Sequence, residues 1–192
     1  MRRLPQGWRD PTVACIPAGM LTGGTGRERT VALDAYLRLE GETQGTISGS
    51  ATRRGREGAI VVYGWSHQVV SPRDAASGMA TGRRQHHPFV ITKPVDRATP
   101  LLRNLLTQNE NIPQWRLECW QAVRSGKQVL VYTVELVNAS VAEIRAEQLN
   151  NQYPENAKHE IREHVSFSYQ KVIWTWQDGG IVAEDDWATL NV

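Results

Sequence analysis

The chain has 192 residues, of which 40% are hydrophobic, and its formal net charge at neutral pH is +2. This apolar content can build the core of one domain and excludes a wholly disordered chain. The charge is uneven: five arginines against two acidic residues give residues 1–30 a net charge of +3, which leaves −1 for the rest. The excess of positive charge therefore lies in the N-terminal stretch, and we predict no nucleic-acid partner for the domain.

The cysteines and the apolar segments exclude two further classes. Cys15 and Cys119 lie far apart and form no Cys-x-x-Cys pair, so a disulfide framework is not indicated. No apolar run reaches the ~18 residues of a membrane helix, and the longest apolar segment of the N-terminal stretch is broken by Pro17 and Gly19. We therefore predict neither membrane insertion nor export by the general secretory route.

The first elements follow an irregular N-terminal stretch. Residues 1–30 have no regular period and contain a Gly-Gly-Thr-Gly run, which predicts a flexible extension. Apolar residues then alternate from Val31 to Leu39, as in a half-buried strand. After a glycine-bounded turn, residues 46–52 are a possible second strand. The β-branched and aromatic segment Ala59–Val70 predicts a third.

The segment Ser71–Gln85 is a long polar loop with few apolar residues. Loops of this length in a compact domain are usually functional or disordered. Its arginines are either solvated or available to an acidic surface on a partner. The candidate contact residues of this loop are Ser71, Arg73, Asp74, Gly78, Gly82, Arg83, Arg84 and Gln85.

A strand at His86–Val95 and a short helix are predicted next. Thr99 fits an N-cap and Pro100 the first helical position, because proline lacks the N–H that would be unpaired there. Leucines recur at helical spacing over residues 100–109. This is the one secure helix in the pattern.

The second half of the chain is again strand-rich. Residues 113–123 and 127–137 predict a hairpin, whereas 138–148 fit either a strand or a helical turn. A polar loop precedes a last strand at Glu163–Trp176, whose apolar phase shifts after Tyr169 and so predicts a bulge. We predict a mainly β fold, a small β-barrel of two packed antiparallel sheets with one short α-helix alongside. The end of the chain, residues 179–192, is predicted to be a polar tail.

Candidate chemistry in the sequence is weak. Adjacent strand residues point to opposite faces, so His86 and His87 cannot easily share a metal ion with His67. The chain has no Gly-x-Ser-x-Gly nucleophile elbow, and Ser125–Gln128 lacks the residues of a phosphate-binding loop. We predict no catalytic residue, no metal and no cofactor, and hence a protein that is not an enzyme.

An ordered set of segments resembles one known family. These segments are Val31–Gly41 (VALDAYLRLEG), Val62–His67 (VYGWSH), Gly82–Leu102, Val165–Trp176 and Asp185–Trp187 (DDW). Together they resemble, in order, the Hcp family, the tube protein of the bacterial type VI secretion system. The resemblance covers Val31–Trp187.

The resemblance implies a small β-barrel with a packed helix, of which six copies form a ring and rings stack into a tube. The implied partners are other copies of the chain, the contractile sheath, spike and baseplate proteins, and effector cargo in the lumen. Ser71–Gln85 matches the family's extended loop, which reaches neighbouring subunits and rings. The implied location is the bacterial cytoplasm before firing and the exterior or a target cell afterwards, without a signal peptide.

Family members begin near Val31, so the predicted domain spans residues 31–178. Residues 1–30 are either upstream sequence read as protein from a misassigned start or a genuine flexible extension. No C-terminal effector domain is expected. The alternative to a tube subunit is a monomeric secreted effector or a small-ligand-binding β-barrel.

Overall fold

The computed structural model describes residues 33–123 and 126–187, and within them the chain is mainly β, as predicted. The predicted extension at residues 1–30 lies outside these ranges. The strands before the helix are β1 Leu33–Gly41, β2 Gly45–Thr46, β3 Ile60–Val62, β4 Gly64–Ser66, β5 Val69–Val70, β6 Gln85–His86 and β7 Phe89–Pro94. The helix α1 is Ala98–Thr107. The strands after it are β8 Gln114–Ala122, β9 Gln128–Val137, β10 Ser140–Glu147, β11 Arg162–Ser168, β12 Lys171–Trp176 and β13 Ile181–Asp186, with a 3-10 turn at Pro154–Asn156.

The strands form two main antiparallel sheets. The larger has the order β13-β12-β9-β8-β1-β2, with β3 also paired to β1, and the smaller has the order β10-β11-β7-β4. A two-stranded ribbon of β5 and β6 stands apart. The pairings among the described residues do not join the ends of either sheet. The predicted mainly β fold of two packed antiparallel sheets with one helix is thus confirmed, and the sheets do not close as a barrel in these pairings.

Two predicted long strands pass from one sheet to the other. The segment Ala59–Val70 places β3 beside β1 and then β4 beside β7, with the change at Tyr63. Likewise, the segment Glu163–Trp176 divides at Tyr169 and Gln170, so that β11 pairs with β7 and β12 with β9. A strand that switches sheets at a corner serves both layers of a sandwich. The predicted bulge site after Tyr169 is this corner.

Aromatic side chains fill the space between the sheets. Phe89 and Phe167 are fully buried, and both contact Trp115 edge-on, with ring centroids 5.0 and 5.4 Å from it. From α1, Leu102 and Leu105 are also fully buried in this core. The predicted helical leucine pattern therefore marks the face that packs on the sheets.

The predicted cap of α1 is wrong. The helix begins at Ala98 with Arg97 as its N-cap residue, so Thr99 lies in the first turn and Pro100 is the third helical residue. The Asp96 carboxylate accepts a hydrogen bond from the Ala98 N–H at 3.0 Å, and the helix starts two residues before the predicted first position, Pro100. The Thr99 hydroxyl is instead engaged in a buried polar cluster with Lys93 and Glu163.

The described part of the predicted polar tail, as far as Trp187, contains a strand. Ile181–Asp186 form β13, which pairs along its whole length with β12, from Trp176 opposite Ile181 to Lys171 opposite Asp186. Residues 138–148, for which the sequence fits either a strand or a helical turn, contain the strand β10. No helix in the part of the chain described here has the length and apolar character needed to cross a membrane.

Candidate functional site

The loop Ser71–Gln85, which we call the long loop, has a ribbon at its base. There β5 pairs with β6, and the His87 N–H donates to the Gln68 carbonyl at 3.0 Å. Further out, Arg73 and Ala80 form an isolated antiparallel bridge. The loop is therefore a hairpin-like arm rather than an open coil.

The tip of the long loop is ordered by Asp74. Its carboxylate accepts hydrogen bonds from the Ser77 N–H at 2.7 Å, the Ala76 N–H at 3.1 Å and the Ser77 hydroxyl at 2.8 Å, a typical Asx-turn arrangement. The bond from the Ser77 hydroxyl is the main reason that the pKa of Asp74 lies below its usual value. Gly78 has a φ of +69°, which favours glycine, and its carbonyl accepts from Arg73.

All the predicted contact residues of the long loop are exposed except Arg84, which is partly buried. The Arg84 guanidinium makes a bidentate ion pair with Asp185 of β13 and donates to the Asp186 carbonyl at 2.9 Å. Arg83 makes no hydrogen bond or ion pair with any part of the chain that the structure describes. The predicted pair thus has two roles: Arg84 fastens the loop to its own subunit, and Arg83 faces outward.

A chain of hydrogen bonds runs beneath the loop. The Tyr169 hydroxyl lies 2.5 Å from His67 Nε2 and 3.0 Å from His86 Nδ1, and His86 Nε2 lies 2.8 Å from the Asp185 carboxylate. Burial raises the pKa of Asp185, but the hydrogen bonds from Arg84 and His86 outweigh it and leave that pKa below its usual value. Burial and Asp185 both raise the pKa of Tyr169, which therefore keeps its proton.

The sequence predicts that His67, His86 and His87 do not share a metal ion. The structure brings His67 and His86 together through Tyr169, whereas His87 is exposed. Within residues 33–123 and 126–187, no group of three His, Cys, Asp or Glu side chains could hold a metal ion.

A groove of about 690 Å³ lies beside the base of the long loop. Its lining includes Arg83 and His87, together with Thr81 and Trp187. The Trp187 ring lies against His86, with centroids 5.3 Å apart, and is half exposed. The groove therefore combines a solvent-facing cation with an aromatic surface.

A second groove, of about 670 Å³, is apolar. Its most exposed members are Leu33 at 63%, Tyr63 at 57%, Trp176 at 47% and Trp65 at 40%. The Tyr63 hydroxyl donates to Glu160 at 2.6 Å, and this bond raises the pKa of Tyr63 to about 12. We call this surface the apolar groove.

The sequence alone does not indicate the apolar groove, because aromatic residues in a strand are more often core residues than part of a binding surface. Phe167 and Tyr169 are buried in the core, but Trp174 is only half buried and Trp176 is exposed. The sequence pattern that could indicate this surface is the period of two along β12. It places Trp174 and Trp176 on one face of the strand and Thr175 on the other. How far that face is buried depends on strands that are distant in sequence, which the local pattern does not reveal.

Comparisons with known proteins agree on one family. A family profile described as "Type VI secretion system effector, Hcp" matches residues 36–176. The "Major exported protein" of Pseudomonas aeruginosa is 36% identical over 166 residues, which cover 82% of this chain and 96% of that protein.

Solved structures show the same likeness. One described as "Crystal structure of Hcp protein" has a TM-score of 0.77 at 32% identity and covers 82% of this chain and 99% of its own. The Hcp1 protein from E. coli EAEC 042 has a TM-score of 0.72 at 28% identity, with 81% of this chain and 99% of its own chain covered.

Proposed function

This chain belongs to the Hcp family of type VI secretion proteins, and from that premise we propose that six copies close into a ring and that rings stack into a secreted tube. Two kinds of contact are needed. A heterologous head-to-tail interface closes the ring after a fixed rotation, and a second surface joins successive rings into a filament. The long loop and the apolar groove are the surfaces that we assign to these contacts.

The observation that carries the proposal is the long loop. Its tip is ordered by Asp74 and its base is fastened by Arg84, yet residues from Arg73 to Arg83 are exposed throughout. An arm that is held in shape but touches little of its own subunit is suited to reach another one. Arg83 and Arg73 offer cationic contacts that an acidic surface on the neighbour would complete.

The apolar groove supports a lateral contact. Exposed contiguous apolar surface on a soluble protein marks an interaction site, and aromatic residues are enriched at interface centres. Tyr63, Trp65 and Trp176 give this groove its aromatic surface. We assign it to the neighbour within the ring, and the long loop to contacts with neighbouring subunits and rings.

The mechanism is mechanical assembly, with no catalytic step. The tube would form in the bacterial cytoplasm inside the contractile sheath, on the baseplate and behind the spike, with effector cargo in its lumen. Contraction would carry it to the exterior or into a target cell. The name of the Pseudomonas aeruginosa relative, "Major exported protein", supports export as the fate of such a subunit.

The loop assignment is tested by reversing the charge of Arg83. Arg84 is unsuitable because a glutamate there would face Asp185 in its own subunit. We expect Arg83→Glu to fold normally but to lose stacked tubes in electron micrographs and higher assemblies in sizing. Lys158→Glu is the matched control, because Lys158 is exposed in a different loop and the change in charge is the same. Unchanged tubes in the Arg83 variant would refute the loop assignment.

The second candidate is a monomeric secreted effector or ligand-binding protein. The apolar groove favours it, because pockets of 300–1,000 Å³ with mainly apolar walls are typical of small-molecule sites. Size-exclusion chromatography separates the two functions. A tube subunit elutes as rings, whereas the alternative elutes as one chain at every concentration.

A further inference from the structure

The hydrogen-bonded chain beneath the long loop joins four separate parts of the sequence. His67 follows β4 and His86 lies in β6, so these two side chains belong to the base of the loop. Tyr169 lies at the corner between β11 and β12, and Asp185 lies in β13. The contacts from His67 through Tyr169 and His86 to Asp185 therefore tie the loop to the C-terminal strand pair.

The geometry of these four side chains limits the number of protons that they can hold. With both imidazoles neutral, His86 donates from Nε2 to Asp185, Tyr169 donates to His86 Nδ1, and His67 Nε2 donates to the tyrosine oxygen. One added proton on His86 is accommodated, because the Tyr169 hydroxyl can turn and donate to a neutral His67 instead. With both imidazoles protonated, each donates to the Tyr169 hydroxyl. The proton of that hydroxyl then has no acceptor among these four side chains.

The surrounding charges also balance only one added proton. Arg84, Asp185 and Asp186 together carry a charge of −1, and the Lys171–Glu184 ion pair beside them is neutral. One imidazolium brings the cluster to zero, and two make it positive. Repulsion between the imidazoliums then adds to the loss of a hydrogen bond.

The surroundings of His67 also oppose its protonation. The rings of Phe89 and Trp174 lie 5.1 and 5.9 Å from its ring, and neither carries a charge. The charged and titratable groups that line the open side are His87 and Glu143. Burial, followed by the nearby His86, lowers the pKa of His67.

We propose that these four side chains form an acid-sensitive latch, which holds the base of the long loop to β13 while the two histidines share at most one proton and releases it when both are protonated. The latch regulates the loop to which the proposed function assigns contacts between subunits and rings, and its biological role rests on that function. The sign follows from His67: stability that depends on its neutral form is complete above pH 6.5 and is lost as the pH falls below that value.

Hydrogen exchange of the purified full chain tests the latch. Protection factors of amides in β5, β6 and β13, corrected for the intrinsic effect of pH, are compared between pH 7 and pH 5. We expect a fall of about tenfold or more in the wild type, from the lost hydrogen bond and the repulsion between the two imidazoliums. His67→Gln keeps an N–H donor for Tyr169 but cannot titrate, so its protection should change less than about twofold.

Two further variants sharpen the result. Tyr169→Phe removes the shared hydroxyl and should show low protection in these strands already at pH 7. Tyr153→Phe is the matched control, because Tyr153 is exposed in the loop before β11 and lies outside the latch, and it should behave as the wild type. Equal acid sensitivity in the wild type and His67→Gln, or no loss of wild-type protection by pH 5, would overturn the latch.

The readout is independent of ring formation. The latch is supported when the wild type loses protection in acid and the His67→Gln variant keeps it, even when micrographs contain no rings. In that case only the proposed function fails. A protein that forms rings but keeps full protection at pH 5 refutes the latch alone.

Discussion

Replacing Lys93 with methionine should be among the most damaging single changes to this fold. The Lys93 side chain is fully buried, and its ammonium donates to Glu163 at 2.8 Å and to Asp96 at 2.8 Å. The Thr99 hydroxyl and the Pro94 carbonyl are also within hydrogen-bond distance, so the three N–H groups are shared among four acceptors. Methionine fills a similar volume but supplies neither the charge nor the hydrogen bonds.

The size of the stability loss follows from the Glu163 carboxylate that remains after Lys93 is replaced. The Glu163 side chain has no exposed surface, and its Oε2 accepts no hydrogen bond among the described residues and lies 4.0 Å from the Arg103 guanidinium. Removal of Lys93 therefore leaves a buried carboxylate without its close cationic partner. Breaking a buried pair by removing one partner costs about 3–5 kcal/mol. We expect Lys93→Met to lower the free energy of unfolding by that amount. Glu163→Gln should cost less, about 1–3 kcal/mol, because Lys93 keeps Asp96.

The assay is urea unfolding of the two single variants and the double variant at a fixed protein concentration. Because the double variant no longer buries an unpaired carboxylate, it should be more stable than Lys93→Met alone. Lys158→Met, at an exposed position, is the control and should change the unfolding free energy by less than about 0.5 kcal/mol. A loss below about 1 kcal/mol for Lys93→Met, or a double variant that is less stable still, would refute the reasoning.

Two smaller predictions follow from close contacts at the β1–β2 end of the larger sheet. Gly49→Ala places a Cβ inside the contact distance of the Ala59 carbonyl oxygen, which is backbone and cannot turn away, so thermal unfolding should show a loss of about 1–3 kcal/mol. The Glu110 carboxylate accepts from the N–H groups of Gln44 and Thr43, and these bonds lower its pKa. Glu110→Gln should therefore be less stable than the wild type at pH 7, and the difference should shrink as the pH falls below 4.5. A Gly49→Ala variant as stable as the wild type, or a pH-independent Glu110→Gln difference, would contradict these contacts.

The local pattern of the sequence predicts strands well but not where they change sheets. The alternation from Val31 and the hairpin at 113–137 correspond to β1, β8 and β9. At Tyr63 the strand composition continues through the corner, and at Tyr169 the shift of apolar phase indicates only a bulge. The partner strands alone reveal the change of sheet. Periodicity describes one chain segment, whereas sheet membership depends on residues far away in sequence.

The same limit applies to the candidate site. Length and composition identified the loop Ser71–Gln85, but the ion pair that fastens it joins Arg84 to Asp185, 101 residues later. The local sequence therefore predicts a polar tail at residues 179–192, whereas the Asp185 carboxylate in that segment holds β13 against the loop. The Thr99 cap prediction failed for a related reason, because the hydroxyl is engaged by Glu163 from another strand.

Electron microscopy of the purified protein, with its mass measured in solution on the same sample, tests the central claim most directly. A tube subunit should appear as closed rings with a central channel and a mass six times that of one chain, and the rings should stack as concentration rises. A single chain at every concentration, with no rings in any field, would contradict assembly as the purpose of this fold.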